Sequence, residues 1–364
     1  MKTGFNEMLR RLEAEERKKL DAKIPAWSGL GIEIPSSLNF QQCSGQTAAL
    51  YKASLIAEGS RVADLTGGLG ADSWAFSRRA SALWYNERDA ALANAVRRNF
   101  GLLGVSNAEF HNFDIVPSGH DWTASLGAFR PDVIYIDPSR RDRSGRKVFL
   151  LEDCSPDVQA LMPLLHSFAP LVMIKVSPMA DMTMLRRRLA DSLAEIHVVG
   201  AGGECKELLC ICRRGAGPVR TVLSEDGKLY PWADGGGPDA ERGELLFVPS
   251  AALVKSALPL PPGAEALGTG SRMCRCGWNG TLSSFGSFYR ILEDAPFSKG
   301  GIREVGARYP RAEVSVRGIP VSAEELRAKL KTGPGGPVHI FACLCGGERR
   351  LLVTEKVTAP EQPV

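Results

Sequence analysis

The chain has 364 residues, of which 44% are hydrophobic and 24% charged, and its formal net charge is +4. This length suits two or three domains, and no apolar stretch reaches the roughly 18 residues that a membrane span needs. The mixed charges near the N-terminus exclude a secretory signal, and nine cysteines, an odd number, indicate reduced thiols. We therefore expect a globular, cytoplasmic protein, and a net charge this small does not by itself indicate a nucleic-acid partner.

Residues 1–45 are predicted to be helical and then irregular, and residues 46–57 to form a helix. After them, short apolar strands alternate with helices as far as residue 213. Apolar strands separated by helices are typical of a parallel sheet that is covered on both faces, so we predict an α/β fold with a mostly parallel seven-stranded sheet. The predicted strands are 61–65, 82–85, 108–111, 133–136, 171–176, 195–200 and 207–213, with helices at 90–100, 156–168 and 182–190.

The composition changes after Gly215, because residues 227–243 and 259–270 are rich in glycine and proline. New strand signals follow at 313–316, 338–343 and 350–357. Ser322 and Glu325 fit a capping box at the start of a helix over 322–331. These signals predict one or two small α+β domains from residue 216 onward.

A glycine-dense turn follows the first predicted strand, between Asp64 and Ser73. Its glycines allow the backbone to approach a ligand closely, at the strand end where a doubly wound sheet binds nucleotides. A dinucleotide fold would have a third glycine where Ser73 stands, and the Asp64 carboxylate would repel a pyrophosphate. A carboxylate beside the turn instead suits a cationic ligand, and the alternative is an ordinary glycine turn after a buried strand.

Acidic residues recur at the ends of the first four predicted strands. Asp64 ends the first, and Glu87, Asp114 and Asp137 follow the next three at similar intervals. Carboxyl ends of parallel strands meet at one edge of a sheet, so these acids are expected to line one crevice. Each acid alone could equally be a loop carboxylate that faces water.

Basic residues follow Asp137 directly. Arg140 and Arg141 suit a phosphate or the face of a base, or alternatively salt bridges to neighbouring acids. Lys175, at the end of the fifth predicted strand, is placed to orient a substrate or to pair with Asp137. A second cluster, Arg186–Arg188, is typical of a solvated helix face.

The pattern Asp64-x-x-x-Gly68-x-Gly70 resembles the first motif of class I S-adenosylmethionine-dependent methyltransferases. The resemblance implies that Glu87 binds the ribose hydroxyls and that Asp114 receives the adenine amino group, with Phe113 beside it. The residues expected to bind the cofactor are Asp64, Thr66, Gly67, Gly68, Gly70, Asp72, Glu87, Arg88, Phe113, Asp114 and Asp137.

The segment Asp137-Pro138-Ser139-Arg140 lies where amino-methyltransferases carry D/N-P-P-Y/F, but Ser139 and Arg140 depart from that pattern. It is closer to the Asp-Pro-x-Arg motif of RNA 5-methyluridine enzymes, which also need a cysteine nucleophile, and Cys205 is a weak candidate for that role. The predicted catalytic residues are Asp137, Pro138, Ser139, Arg140 and Lys175, and the predicted substrate-binding residues are Arg140, Arg141, Arg143 and Arg146.

The C-terminal part resembles bacterial methyltransferase proteins that carry a THUMP-like domain, over Gly243–Ser256, Phe288–Phe297, Arg317–Arg327 and Gly335–Phe341. The resemblance implies an N-terminal helical segment (1–45), a class I methyltransferase domain (46–215), a ferredoxin-like linker domain (216–297) and a THUMP-like domain (298–364). It also implies an RNA partner, by analogy only. Three Cys-x-Cys pairs lack zinc-site spacing, so no metal is expected.

Three functions stay open at this point. The first is a methyltransferase that uses S-adenosylmethionine to modify RNA, and the second is a methyltransferase that acts on a protein or a small molecule. The third is an RNA-binding protein that retains the fold without catalysis, which the altered Asp137 motif favours.

Overall fold

The computed structural model describes residues 17–139, 154–234, 237, 239–268 and 271–358. The chain forms two compact units. The first comprises the chain up to Ala201 together with Lys206–Val222, and the second comprises Gly202–Cys205 and the chain from Leu223.

The first unit begins with helical segments that pack into its main core. Residues 17–23 are helical (α1), and a short 3-10 turn (Pro25–Trp27) precedes α2 (Ser37–Gln42) and α3 (Gln46–Ser54). Trp27 is buried and meets the Trp74 ring edge to face at 6.0 Å. The N-terminal segment therefore belongs to this unit and is held beside its glycine turn.

Strands and helices alternate through the rest of the first unit, as predicted. The strands are β1 (Arg61–Asp64), β2 (Ala82–Asn86), β3 (Ala108–His111), β4 (Val133–Ile136), β5 (Leu171–Val176), β6 (Leu193–Ala201) and β7 (Glu204–Arg213). The helices are α4 (Ala71–Ser77), α5 (Ala90–Leu102), α6 (His120–Phe129), α7 (Val158–Phe168) and α8 (Met182–Arg188).

These seven strands lie in the order β3-β2-β1-β4-β5-β7-β6, and β8 (Arg220–Glu225) and β9 (Lys228–Leu229) continue the sheet beyond β6 to nine strands, two more than predicted. The first five are parallel, and β7 pairs antiparallel with β5. All four residues of β4 are buried, which explains its uninterrupted apolar sequence. The strand order reverses between β1 and β4, so the crevice outside their carboxyl ends is where this fold binds ligands. The predicted mostly parallel sheet is confirmed.

The second unit contains a seven-stranded sheet. Its sheet strands are β10 (Leu245–Pro249), β11 (Glu265–Ala266), β12 (Cys274–Cys276), β13 (Gly286–Pro296), β14 (Glu313–Arg317), β15 (Val338–Cys345) and β16 (Glu348–Val357), and its helices are α9 (Ala251–Ser256), α10 (Lys299–Arg308) and α11 (Ala323–Leu330).

The strand order in this sheet is β11-β12-β10-β13-β16-β15-β14, so β13 pairs with β10 on one side and with β16 on the other. The segments expected to form a linker domain (216–297) and a separate C-terminal domain (298–364) therefore share one sheet from β10 onward. Local sequence signals locate strands but do not show which strands pair, so the expected boundary at 297 divides this sheet. The capping box at Ser322 is present as predicted, with Glu325 as its partner.

All nine cysteines are free. The Cys-x-Cys pairs lie in β7, β12 and β15, where alternate residues share one face of a strand. Within the described ranges, no group of three histidine, cysteine or acidic side chains is arranged to hold a metal ion, and no helix is both long and apolar enough to cross a membrane.

Candidate cofactor crevice

The glycine turn between β1 and α4 is packed too tightly for side chains. A Cβ atom on Gly67 would lie 2.0 Å from Cε2 of Tyr85. Gly70 caps α4 with a φ of +85°, and a Cβ there would lie 2.8 Å from the Phe100 ring. The hydroxyl of Tyr85 donates to the carbonyl of Gly68 at 2.6 Å, which fixes the turn against β2. The turn is therefore a rigid backbone surface at the end of β1.

Asp64 lies beneath this turn rather than in the open crevice. Its carboxylate is buried and accepts hydrogen bonds from the Thr66 amide at 3.1 Å and the Ser73 hydroxyl at 2.5 Å. Burial raises the pKa of Asp64 to about 7, although both hydrogen bonds oppose that rise. Asp64 thus links β1, the glycine turn and the start of α4. It would therefore support a ligand indirectly, by fixing the backbone of the glycine turn.

Glu87 joins the turn to the end of β2. One of its carboxylate oxygens accepts from the Gly68 amide at 3.0 Å, and the other accepts from the Asp89 amide at 2.9 Å. Burial raises the pKa of Glu87, and the two amides oppose that shift. Each carboxylate oxygen accepts more than one hydrogen bond, so Glu87 retains acceptor capacity for hydroxyl groups of a ligand.

The next loop places an aromatic ring and an exposed carboxylate beyond β3. The Phe113 amide donates to the side-chain oxygen of Asn86 at 2.7 Å, and the Phe113 ring stacks on the His111 ring at 5.6 Å. Asp114 follows and is exposed. Arg88 is also exposed, and its guanidinium donates to the Ser155 hydroxyl at 3.4 Å. Asn86, which holds this loop, was not identified from the sequence, although it directly precedes Glu87.

Asp137 and Lys175 form an ion pair at the ends of β4 and β5. Lys175 Nζ lies 2.6 Å from Asp137 Oδ2, and the Asp137 amide donates to the Thr66 hydroxyl at 2.6 Å. About a third of the Asp137 side chain is exposed (34%), so its carboxylate remains reachable. Pro138 is buried, and Ser139 forms an isolated bridge with Ser155. Thr66 therefore links the ends of β1 and β4, the two strands expected to border the ligand crevice.

Burial alone would lower the pKa of Lys175. The neighbouring carboxylates, chiefly Asp137, outweigh burial and raise that pKa above its ordinary value. The Lys175 ammonium is therefore protonated at all physiological pH values.

A buried ionic network lies behind the crevice, and the sequence did not reveal it. Lys52 is completely buried, and its Nζ lies 2.9 Å from Asp72 Oδ1 and 2.6 Å from Glu207 Oε1. Ser44 accepts from Lys52 and donates to Asp72, and the Tyr135 hydroxyl also donates to Asp72, each at 2.8 Å. Asp72, predicted to bind the cofactor, is thus occupied in fixing α4 to α3.

The charges of the two clusters nearly balance. Lys52 and Lys175 lie beside the carboxylates of Asp72, Glu207 and Asp137, and a third lysine, Lys23, is close enough to Lys175 to interact with it electrostatically. Burial would raise the pKa of Asp72, but the two lysines, Lys52 foremost, outweigh it and lower that pKa.

Several residues predicted to bind or act on the substrate lie outside the described part of the chain. Arg140, Arg141, Arg143 and Arg146 fall in 140–153, outside the described residues. Cys205, the candidate nucleophile, is half-buried near the start of β7.

Comparisons with known proteins agree with this architecture. Residues 286–356 match the family model described as THUMP domain-like. A crystal structure described as a "putative methyltransferase" from Porphyromonas gingivalis W83 matches with a TM-score of 0.77 and 28% identity, over 95% of this chain and 89% of that one. No curated protein matches the chain.

Other solved structures match about half of this chain. A predicted O-methyltransferase, protein Atu636 from Agrobacterium tumefaciens, has 17% identity and a TM-score of 0.37 over 51% of this chain and 93% of that one. Precorrin-6y C5,15-methyltransferase from Geobacter metallireducens GS-15 has 13% identity and a TM-score of 0.34 over 47% and 87%.

The full-length structural match confirms the predicted fold, and together with the C-terminal family match it supports the predicted resemblance to class I methyltransferases that carry a THUMP-like domain. S-adenosylmethionine is the cofactor of that class.

Proposed function

We propose that this chain transfers a methyl group from S-adenosylmethionine to RNA. The observation that carries the proposal is the crevice itself, where a rigid glycine turn, the Glu87 carboxylate and the Asp137–Lys175 pair lie at the ends of adjacent parallel strands. The class of cofactor follows from the resemblance to methyltransferases.

In this proposal one part of the crevice binds the cofactor and the other positions the acceptor. Glu87 would accept hydrogen bonds from the ribose hydroxyls, and Phe113 and Asp114 would contact the adenine. The bound cofactor supplies a methyl group on a sulfonium, which is already activated toward displacement. The protein's contribution is then chiefly to position the acceptor, which can be worth roughly 7–11 kcal/mol.

Asp137 is the group best placed to act on the acceptor. Its carboxylate is partly exposed at the end of β4, and Lys175 fixes one of its oxygens. The other oxygen can orient an N–H or O–H group of the acceptor and receive its proton. The ion pair with Lys175 would hold Asp137 in this orientation.

RNA is proposed as the acceptor because residues 286–356 match a THUMP-like model, and THUMP domains of other modification enzymes bind structured RNA. The basic residues that follow Asp137 in the sequence, Arg140 to Lys147, support the same partner. No feature of the described residues favours a particular nucleotide.

The test is methyl incorporation from labelled S-adenosylmethionine into total RNA from a strain that lacks the gene. We expect incorporation with the wild-type protein and none with Asp137→Ala. Label that appears only in protein or in small molecules would replace RNA with that substrate. RNA binding without incorporation into any fraction would indicate a non-catalytic RNA-binding protein.

A further inference from the structure

An open groove of about 360 Å³ lies between α7 and α8 of the first unit, outside the cofactor crevice. One wall is Gln159, in the first turn of α7, and the other is formed by Met184, Arg187 and Arg188 of α8. Their spacing of three and four residues places these α8 side chains on one helix face. The groove therefore presents two guanidinium groups and one amide around a methionine.

The two walls of the groove follow the candidate catalytic strands along the chain. Ser139, two residues beyond Asp137, exchanges backbone hydrogen bonds with Ser155 at 2.8 and 3.1 Å, and α7 begins directly after that contact. On the other wall, β5 carries Lys175 and leads through a short loop to α8. Both walls thus belong to helices that follow the strands carrying Asp137 and Lys175.

The three consecutive arginines of α8 divide into two roles. Arg186 donates to the Val219 carbonyl at 3.1 Å and to the Thr221 hydroxyl at 2.6 Å, so it holds α8 against the neighbouring chain. Arg187 is exposed and forms no hydrogen bond or ion pair with any residue that the structure describes. Arg188 is also exposed and lines the groove beside it.

We propose that this groove binds the phosphodiester backbone of the RNA substrate and so directs the target nucleotide toward Asp137. The inference rests on the proposed function, which it extends by assigning the substrate a surface. A guanidinium matches two phosphate oxygens at once, and two adjacent arginines on one helix face span neighbouring contacts on an extended strand. Met179, in the loop between β5 and α8, is 82% exposed and offers an apolar contact for a base.

The main test removes the two positive charges. Arg187→Ala/Arg188→Ala should weaken binding of a fluorescein-labelled, mixed-sequence single-stranded RNA and of bulk tRNA about tenfold or more, the loss expected for one or two charge-assisted contacts. The plot of log K against log salt should flatten by about 1.4, because each single-strand phosphate contact contributes roughly 0.7. Affinity for S-adenosylmethionine should not change.

A second double variant serves as the control, and two substitutions of Gln159 change the charge of the groove in opposite directions. Arg97→Ala/Arg98→Ala removes two adjacent exposed arginines from α5, which joins β2 to β3 on the other half of the sheet, and should leave RNA affinity within twofold or so. Arg98 forms an ion pair with Glu33, so a melting curve accompanies this variant. Gln159→Lys should tighten RNA binding, and Gln159→Glu should weaken it. A glutamate near the start of α7 favours the helix dipole, so that weakening would not come from loss of folding.

Equal losses in the α8 and α5 double variants would show only general charge attraction and would overturn the proposal. Unchanged RNA affinity in Arg187→Ala/Arg188→Ala, or preferential binding of polyglutamate over RNA in the groove, would also overturn it. If the wild-type protein binds and methylates RNA while the α8 variant behaves normally, only the groove assignment fails. If the wild-type protein neither binds S-adenosylmethionine nor transfers methyl groups, the proposed function fails, and the RNA titrations still report on the groove.

Discussion

Asp64→Asn tests whether the acid beneath the glycine turn is held in its neutral form. In the folded chain burial raises the pKa of Asp64 to about 7, whereas the unfolded chain has the ordinary value near 3.8. Between these two values the native state keeps a proton that the unfolded state has lost. The sign follows: stability from Asp64 is fully present below the unfolded pKa and declines as the pH rises toward the folded pKa.

The magnitude follows from the difference between the two pKa values. Each pH unit is worth about 1.4 kcal/mol, so the native state loses roughly 4 kcal/mol of unfolding free energy between about pH 4 and pH 7. Asparagine has the same shape, accepts from the Thr66 amide and donates to the Ser73 oxygen, but it does not titrate. The stability of Asp64→Asn relative to wild type should therefore increase with pH, by up to that amount.

Calorimetric unfolding of the two proteins near pH 4, 5.5 and 7 measures this difference, because all other titrating groups are shared. We expect similar stabilities near pH 4 and a growing advantage for Asp64→Asn above it. A difference that does not vary with pH, or one that favours wild type at higher pH, would refute the argument that burial dominates at Asp64.

Asp137→Ala should abolish methyl transfer and leave affinity for S-adenosylmethionine within a few-fold, measured by a radiolabel assay and by calorimetry, because its carboxylate faces the acceptor. Gly67→Ala should lower the melting temperature and the cofactor affinity together, because the new methyl group overlaps the ring of Tyr85; forcing such a contact costs about 1–3 kcal/mol or more. Arg143→Ala/Arg146→Ala should flatten the salt dependence of RNA binding by roughly one to two units without changing cofactor affinity, as RNA titrations at several salt concentrations would show.

Each of these three predictions has its own control. Asp137→Ala needs a melting curve, since a variant that unfolds says nothing about catalysis, and full turnover by a folded variant would move the active centre elsewhere. For the glycine variant the comparison is Gly217→Ala, where a Cβ meets no atom within 4 Å, and equal effects would contradict the packing argument. RNA affinity that does not respond to salt in the wild-type protein would remove the basis for the third prediction.

The sequence predicted the parallel strands and the glycine turn because both depend on local patterns. Short apolar runs locate β1 to β5, and three glycines close together mark a turn that excludes side chains. The position of Glu87 and Asp137 followed from the rule that parallel strands end at one edge.

The buried network could not be predicted in the same way. Lys52 lies in a helix where a lysine is usually exposed, and its partner Glu207 lies on a strand that reaches Lys52 only through the fold. The sequence also did not show the direction of the Asp64 side chain, because an acidic side chain at the end of a strand can point under the turn or into the crevice. The shared sheet of the second unit depends on the pairing of β13, which local composition does not encode.

The central claim is that the crevice at the end of β1 and β2 binds S-adenosylmethionine through Glu87. Calorimetric titration of the purified protein with S-adenosylmethionine and with NADH tests it, using wild type, Glu87→Gln and Glu87→Ala. Glu87→Gln keeps an acceptor for the Gly68 amide, so it separates ligand contacts from support of the turn. We expect wild type to bind S-adenosylmethionine and not NADH, with weaker binding by Glu87→Gln and the weakest by Glu87→Ala, since each lost charge-assisted hydrogen bond costs about 1.5–3 kcal/mol. Binding of NADH instead, or unchanged S-adenosylmethionine affinity in Glu87→Ala, would contradict the account.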